Sequence, residues 1–308
     1  MLTGADMKNI WINSILTILL FISVSAHTMT VPEEKVDKEF SAKKEVRIKL
    51  VLSDCELTAS TNKKIQVHHE STYDPDRYRV IMEERGDRLY LEEKFYDDHP
   101  GGSAHWKVAV PPGTEVEFNS ATGDLTVKGF KGELEGNSGT GDIDLENSDG
   151  EFDLNSGTGN IIVKASSGEF DLNSGTGTVR INDAKGDFKA NSGTGRCQAN
   201  NITILREGEF NSGTGDVRVE KPVGDEFDLE INSGTGDAIL DLQGQPVIGY
   251  FEFKAHARRG DIECPVEFDE EERGGRDDNE YMRKSFTREK RSPRYFISTG
   301  TGTAELKL

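Results

Sequence analysis

Residues 137–154 read NSGTGDIDLENSDGEFDL, and residues 155–172 read NSGTGNIIVKASSGEFDL. The two blocks align without a gap. Each divides into halves that open on a polar, glycine-containing turn and close on a short alternating segment. In the first block Ile143, Leu145, Phe152 and Leu154 alternate with Asp142, Asp144, Glu151 and Asp153, the period of a strand with one buried face. A helix is excluded here, because glycine every few positions costs about 1 kcal/mol each relative to alanine. The four apolar residues are predicted to face inward and the four acids outward.

The same turn begins at Asn119, Asn137, Asn155, Asn173, Asn191, Asn211 and Asn232, with a last echo at Ser298. The spacing is 18 residues four times, then 20 and 21. One such unit has no core of its own, so neighbours must stack on it. Stacking at about 4.8 Å puts strand on like strand in parallel register. Phe152, Phe170 and Phe188 then form one column and the turn asparagines an amide ladder, in a rod segment about 34 Å long. The glycines fit turns that need positive φ or close contact between coils.

The flanks are less regular. Residues 40–118 read as irregular N-terminal coils or a cap, with strands over 46–52, 64–70, 78–83, 87–93 and 105–110. Residues 119–245 hold the regular array. Residues 246–308 return to strand over 246–256, 261–268, 294–298 and 304–308, around a charged, solvated loop at 269–293. The last strand, Ala304 to Leu308, is expected at an open edge, where it would allow end-to-end self-association.

The chain of 308 residues carries 56 acidic and 37 basic side chains, a net charge of −19. That balance argues against nucleic acid, which demands a basic face. Near the start, Met7-Lys8-Asn9 precedes the apolar run Ile10 to Val24, and Val24-Ser25-Ala26 fits a small-residue cleavage site. Residues 1–26 are therefore expected to be a signal peptide, with either Met1 or Met7 as the start, and 27–39 a linker. The apolar run is shorter than the ~20 residues of a membrane span. The protein is expected to be exported, to the periplasm or the cell surface. Cys55, Cys197 and Cys264 show no zinc spacing; they read as buried apolar residues, and which pair would bond is open.

The turn-strand units NSGTGDIDL, NSGTGDVRV and NSGTGDAIL, the entry Val110-Pro-Pro-Gly-Thr-Glu-Val-Glu-Phe118 and the closing GDIEC and FISTGTGTAELKL resemble bacterial families of candidate adhesins with repeated S-G-D-[VI] motifs. The resemblance covers residues 36–308. It implies an all-β fold, a single-stranded right-handed parallel β-helix with coils of ~18 residues, and adhesion as a suggested role.

No catalytic residues are expected. Acid/base chemistry on a polysaccharide, the rival reading, needs a cluster that breaks the repeat, and the acids follow it. Residues 40–118 offer only His68, His69, His99 and His105, and neighbouring His68 and His69 face opposite sides of a strand. No metal site is expected: the position of Asp142 becomes Asn160, Thr178 and Arg196 in successive coils, and a Ca2+ ladder does not take arginine. The tripeptides Arg85-Gly86-Asp87 and Arg259-Gly260-Asp261 are read as products of the Gly-Asp strand opening. No cofactor is expected. The candidate binding face is Asp124, Asp142, Asp144, Asp153, Asp171, Asp216 and Asp237. Its expected partner is a glycan or an envelope or extracellular protein, with a scaffold role inside the envelope as the other non-enzymatic reading.

Overall fold

Two residues of the turn dictate how the chain stacks. Ser156 Oγ accepts from the Gly159 amide and donates to the Gly141 carbonyl one coil earlier, both at 2.9 Å. Ser138, Ser174 and Ser192 repeat the arrangement. A Cβ on Gly159 would lie 2.1 Å from that same Gly141 oxygen, so glycine is what lets successive turns close to strand spacing. These turn glycines have no positive φ; the requirement is proximity.

The structure, a computed structural model, describes residues 34–96, 101–276 and 280–308, all within the compact unit Pro32–Leu308. Among these residues it is all-β, with 26 strands and no helix. The N-terminal part holds β1 (Glu34–Ser41), β2 (Glu45–Lys49), β3 (Asp54–Ala59), β4 (Lys64–Ser71), β5 (Tyr78–Arg85), β6 (Arg88–Phe95) and β7 (Ala104–Val110). The array alternates longer and shorter strands. It runs β8 (Thr114–Ser120), β9 (Leu125–Lys128), β10 (Lys131–Ser138), β11 (Ile143–Glu146), β12 (Asp149–Ser156), β13 (Ile161–Lys164) and β14 (Ser167–Ser174). It continues through β15 (Val179–Asn182), β16 (Lys185–Ser192), β17 (Cys197–Asn200), β18 (Thr203–Ser212), β19 (Val217–Glu220), β20 (Asp228–Thr235) and β21 (Ala238–Asp241). The C-terminal part holds β22 (Gly249–His256), β23 (Gly260–Glu263), β24 (Glu270–Gly274), β25 (Tyr281–Arg288) and β26 (Arg294–Lys307).

The longer array strands form a broad sheet in the order β5, β6, β2, β8, β10, β12, β14, β16, β18, β20, β26, β22, β25, β24. The shorter ones form a narrow sheet, β1, β4, β7, β3, β9, β11, β13, β15, β17, β19, β21, β26, β23. Among the described residues neither sheet closes on itself, and β26 belongs to both. Array pairing is parallel, with Phe152 opposite Phe170 and Asn155 opposite Asn173. Among the described residues antiparallel strands occur only near the ends.

The core lies between the sheets. Ile143, Leu145, Phe152 and Leu154 are buried while Asp144, Glu151 and Asp153 are exposed, as the alternation predicts. Phe152, Phe170 and Phe188 stack with ring centroids 5.3 and 5.2 Å apart. The other corner of each coil is left-handed: φ is +64° at Gly129, +52° at Asn147, +47° at Ala165 and +53° at Asp183. Alanine is strained there by roughly 1–2 kcal/mol, while glycine adds unfolded-state entropy. Ala165→Gly is expected to raise stability by about 0.5–1 kcal/mol net, read as a higher urea midpoint; an unchanged or lower midpoint would contradict the strain.

Several expectations are corrected. Residues 34–39, expected in a linker, lie in β1, tied to β4 by Lys35–Glu70 at 2.8 Å and Lys64–Glu39 at 2.7 Å. The supposed loop at 269–293 contains β24 and β25, which pair antiparallel. In both places opposite charges face each other across strands, as with Lys284–Glu271 at 3.3 Å, Arg283–Glu272 and Arg288–Asp269 at 3.1 Å. Such pairs support a sheet, and a charge run read as solvated overlooks them. The strand β3 was not anticipated. Ala304 to Lys307, expected at an open edge, lies between β21 and β23. The proposed signal peptide at 1–26, His27 and His99 fall outside the described residues. The three cysteines are free thiols, Cys55 and Cys197 buried and Cys264 half-buried.

Candidate functional site

Strand register turns single side chains into rows. On the outer face of the broad sheet Glu115, Glu133, Glu151, Glu169 and Asp187 fall in one row. Glu117, Glu135, Asp153, Asp171 and Lys189 fall in the next. The third is the asparagine row from Asn119 to Asn232, joined amide to amide at 2.9–3.3 Å. The second hydrogen of these amides reaches back into the middle row, from Asn155 to Asp153 at 2.7 Å and from Asn173 to Asp171 at 2.8 Å.

Cations balance the margins of this grid but not its centre. Lys44 meets Glu115 at 3.1 Å, Arg47 meets Glu117 at 3.2 Å and Lys189 meets Asp171 at 2.8 Å. Arg206 lies across Glu169 and Asp187. Glu133, Glu135, Glu151 and Asp153 form no ion pair among the described residues, and Glu133 and Glu151 have no side-chain hydrogen bond either. Each stands about 4.8 Å along the sheet from a like charge, a repulsion of order 1 kcal/mol per exposed neighbour. This face is concave, with a groove of about 570 Å³ over the acidic rows. A larger groove of about 910 Å³ lies towards the C-terminal strands and is lined by Phe227, Tyr250, Phe286 and Arg291. Arg206 and Asp228 line both.

The seven predicted aspartates do not share one face. Asp153 and Asp171 lie on the broad sheet, and Asp144 lies on the narrow sheet beside Thr126 and Ile162. Partial desolvation, then the carboxylates of Asp142, Asp124 and Glu146, hold the Asp144 carboxyl above its ordinary range against the pull of Lys164. Asp124, Asp142, Asp216 and Asp237 sit at the turn, where each accepts a backbone amide from the next coil. Asp124 takes Asp142 N at 2.8 Å, Asp142 takes Asn160 N at 2.6 Å, Asp216 takes Asp237 N at 3.1 Å and Asp237 takes Thr303 N at 2.8 Å. These four link coil to coil. Sequence reading missed Glu133, Glu135 and Glu151 as members of the grid. Their signal was the alternation itself, since each occupies an outward strand position.

Among the described residues the histidines do not converge. His68 places Nδ1 2.6 Å from Asp37 and Nε2 3.0 Å from Glu70, which favours its charged form and raises its pKa. His69 is fully buried on the opposite side. Its Nε2 lies 2.8 Å from the Tyr78 hydroxyl, which donates to Glu93 at 2.9 Å. Glu93 also accepts from Trp106 Nε1 at 2.9 Å and Val51 N at 3.0 Å. With the Tyr78 proton committed, His69 Nε2 donates, and Nδ1 has no partner. The cluster closes the core of the N-terminal end, and neither groove over the broad sheet is lined by any of it.

Desolvation, reinforced by the His68 charge and opposed by Glu93 and Glu70, lowers the His69 pKa to about 4. An unfolded chain takes up this proton near pH 6.5. The contribution of neutral His69 is therefore complete above that pH and is lost as pH falls towards 4, to a total of roughly 3 kcal/mol. His68 has the opposite sign: its contribution is complete below its unfolded pKa and is lost as pH rises through the raised folded one. Urea midpoints should fall steeply between pH 6.5 and 4, and His69→Gln should remove that component. An identical pH profile in the variant would contradict it.

These features define a class, an all-β repeat protein in which stacked parallel strands present side chains in rows. The chain belongs to the Toastrack DUF4097 family, whose model matches residues 20–290. No curated protein matches it. Among solved structures it is similar to a cell-adhesion candidate from Clostridium sporogenes, at 12% identity over 90% of this chain and 99% of the other, with a TM-score of 0.29. An adhesin candidate from Bacteroides fragilis matches at 14% identity over 67% and 94%, with a TM-score of 0.41. A lipid-binding candidate from Parabacteroides distasonis matches at 11% identity over 89% and 96%, with a TM-score of 0.32. No helix among the described residues is long and apolar enough to cross a membrane.

Proposed function

We propose that this protein is a non-enzymatic, adhesin-like binding module exported to the cell envelope, and that it takes an extended ligand along the broad-sheet face. The strands would wind as a right-handed solenoid of ~18-residue coils, the hand that twisted strands impose on parallel crossovers. The observation that carries the reading is the unbalanced centre of the grid, Glu133, Glu135, Glu151 and Asp153, beside a continuous amide row. Like charges in register destabilise a sheet, so the fold gains nothing from Glu133 and Glu151, which take no hydrogen bond, whereas an outside partner gains a regular set of acceptors. Many weak contacts at strand spacing suit a glycan chain or an extended segment of an envelope or extracellular protein.

The test is a binding screen of residues 27–308 against glycan and extracellular-matrix arrays, with and without Ca2+. Saturable binding that Glu133→Gln and Glu151→Gln abolish supports the reading; binding indifferent to both would overturn it. A requirement for Ca2+ would add a bridging ion to the face. The same substitutions make a prediction without any ligand. Glu151→Gln should stabilise the protein by about 1 kcal/mol at low salt, and the gain should shrink as salt shortens the screening length to about 10 Å at 0.1 M. A loss of stability at low salt would show that Glu151 is structural.

A further inference from the structure

The last strand of the chain is not the last strand of the sheets. On the broad sheet β26 lies between β20, with Ile231 opposite Ile297, and β22, with Phe253 opposite Ile297. On the narrow sheet it lies between β21, with Leu240 opposite Leu306, and β23, with Ile262 opposite Ala304. Within the array, partners are 18 to 21 residues apart, but Asn232 and Ser298 are 66 apart. The chain leaves β21, skips one rung, builds β22 to β25 and returns to fill the gap. Among the described residues β23 pairs only with β26, and β22 only with β25 and β26. Strand pairing therefore joins residues 249–288 to the array through β26 alone.

The slot is specific for this segment. Tyr295, Ile297, Thr299, Ala304 and Leu306 are buried in it. A Cβ on Gly300 would lie 2.5 Å from the Gly234 oxygen, and one on Gly302 would lie 2.3 Å from the Gly236 oxygen, so the turn must be glycine at both points. Thr299 Oγ1 donates to the Gly236 carbonyl at 2.8 Å, and the Thr303 amide donates to Asp237 at 2.8 Å. Arg294 forks onto Asp228. A 14-residue strand crossing both sheets with this pattern occurs once among the described residues.

We propose that β26 is an exchangeable strand and that the slot between β20–β21 and β22–β23 accepts the same segment from a second copy of this chain, giving a strand-exchanged dimer. All contacts within the slot are identical in the two forms. Only the connection at 289–293 differs, turned back in the monomer and extended between subunits in the dimer. The balance is then set by effective concentration: the tethered strand prevails in dilute solution, and exchange appears when chains refold in crowded solution. This route adds a strand within the sheets, in the manner of strand addition to an open edge, and is independent of ligand binding on the broad-sheet face.

The test uses the full chain with Glu230→Cys and Phe296→Cys, outward residues directly opposite across β20 and β26, and with Cys264→Ser to remove the half-buried thiol. After refolding from urea at low and at high concentration, a short bis-maleimide joins the pair and denaturing gels separate the products. Intrachain product alone is expected from dilute refolding, with interchain dimer added at high concentration. Light scattering of the unsubstituted chain, refolded in the same way, should show the dimer without any engineered residue. Intrachain product and monomeric scattering at every concentration would overturn the proposal.

Discussion

Replacing Gly159 by alanine should destabilise the array by about 3 kcal/mol or more, the range of backbone-level disruption. The new Cβ would sit 2.1 Å from the Gly141 oxygen, 2.5 Å from its carbon and 2.8 Å from Ser156 Oγ. Two of these neighbours are main chain, so the clash is relieved only by parting two coils. That parting breaks the Ser156 bond to Gly141 and the Gly157 amide bond to Ser138. Each coil in such a stack contacts only its neighbours, so the damage lies at one joint. The unfolding transition should broaden or split, with faster hydrogen exchange on both sides of residue 159. Gly113→Ala is the control: φ is +83° but nothing lies within 4 Å, and a loss near 1 kcal/mol is expected. Equal losses at the two sites would contradict coil proximity as the reason for the turn glycines.

Phe170→Ala should cost about 3–5 kcal/mol, the range for deleting a buried aromatic ring. Phe170 is 3% exposed and lies between Phe152 and Phe188, nearly parallel to both. Its removal leaves a cavity bounded by rings that are themselves fixed by strand register, so collapse into the space is limited. Phe170→Leu should lose much less, since the same column holds leucine at Leu134. Urea denaturation measures both. A small effect for the alanine variant would mean that the coils repack freely and that the column does not hold them in place.

The array was legible because its residues repeat a physical requirement. Glycine at 139, 141, 157 and 159, serine at 138 and 156 and asparagine at 137 and 155 each meet their counterpart one coil away. Spacing alone therefore reveals the pairing. The ends were not legible. Nothing in residues 45–59 shows that β2 and β3 lie between strands that follow much later, and nothing in residues 294–307 shows that β26 returns inside β22 and β23. Such interleaving is long-range and leaves no periodic trace. The acidic site was half legible. Alternation gave the outward direction of each carboxylate, but not which row it joins, so turn aspartates that bind the next coil's amides were grouped with Asp153 and Asp171 of the broad sheet, which accept from the asparagine row instead. Alternation puts His68 and His69 on opposite sides of a strand, whereas the tie of His69 to Tyr78 and Glu93 depends on strands brought together only by the fold.

The most direct measurement of the central claim compares two variants against whichever array ligand the wild-type protein binds. Asp142→Ala removes the acceptor for the Asn160 amide and should lower stability by about 1–2 kcal/mol, yet leave the affinity of the folded protein unchanged. Glu133→Gln combined with Glu151→Gln should keep or raise stability and lose the ligand. The account predicts this separation of stability from binding. Binding that follows the turn aspartate and ignores the two glutamates would contradict it.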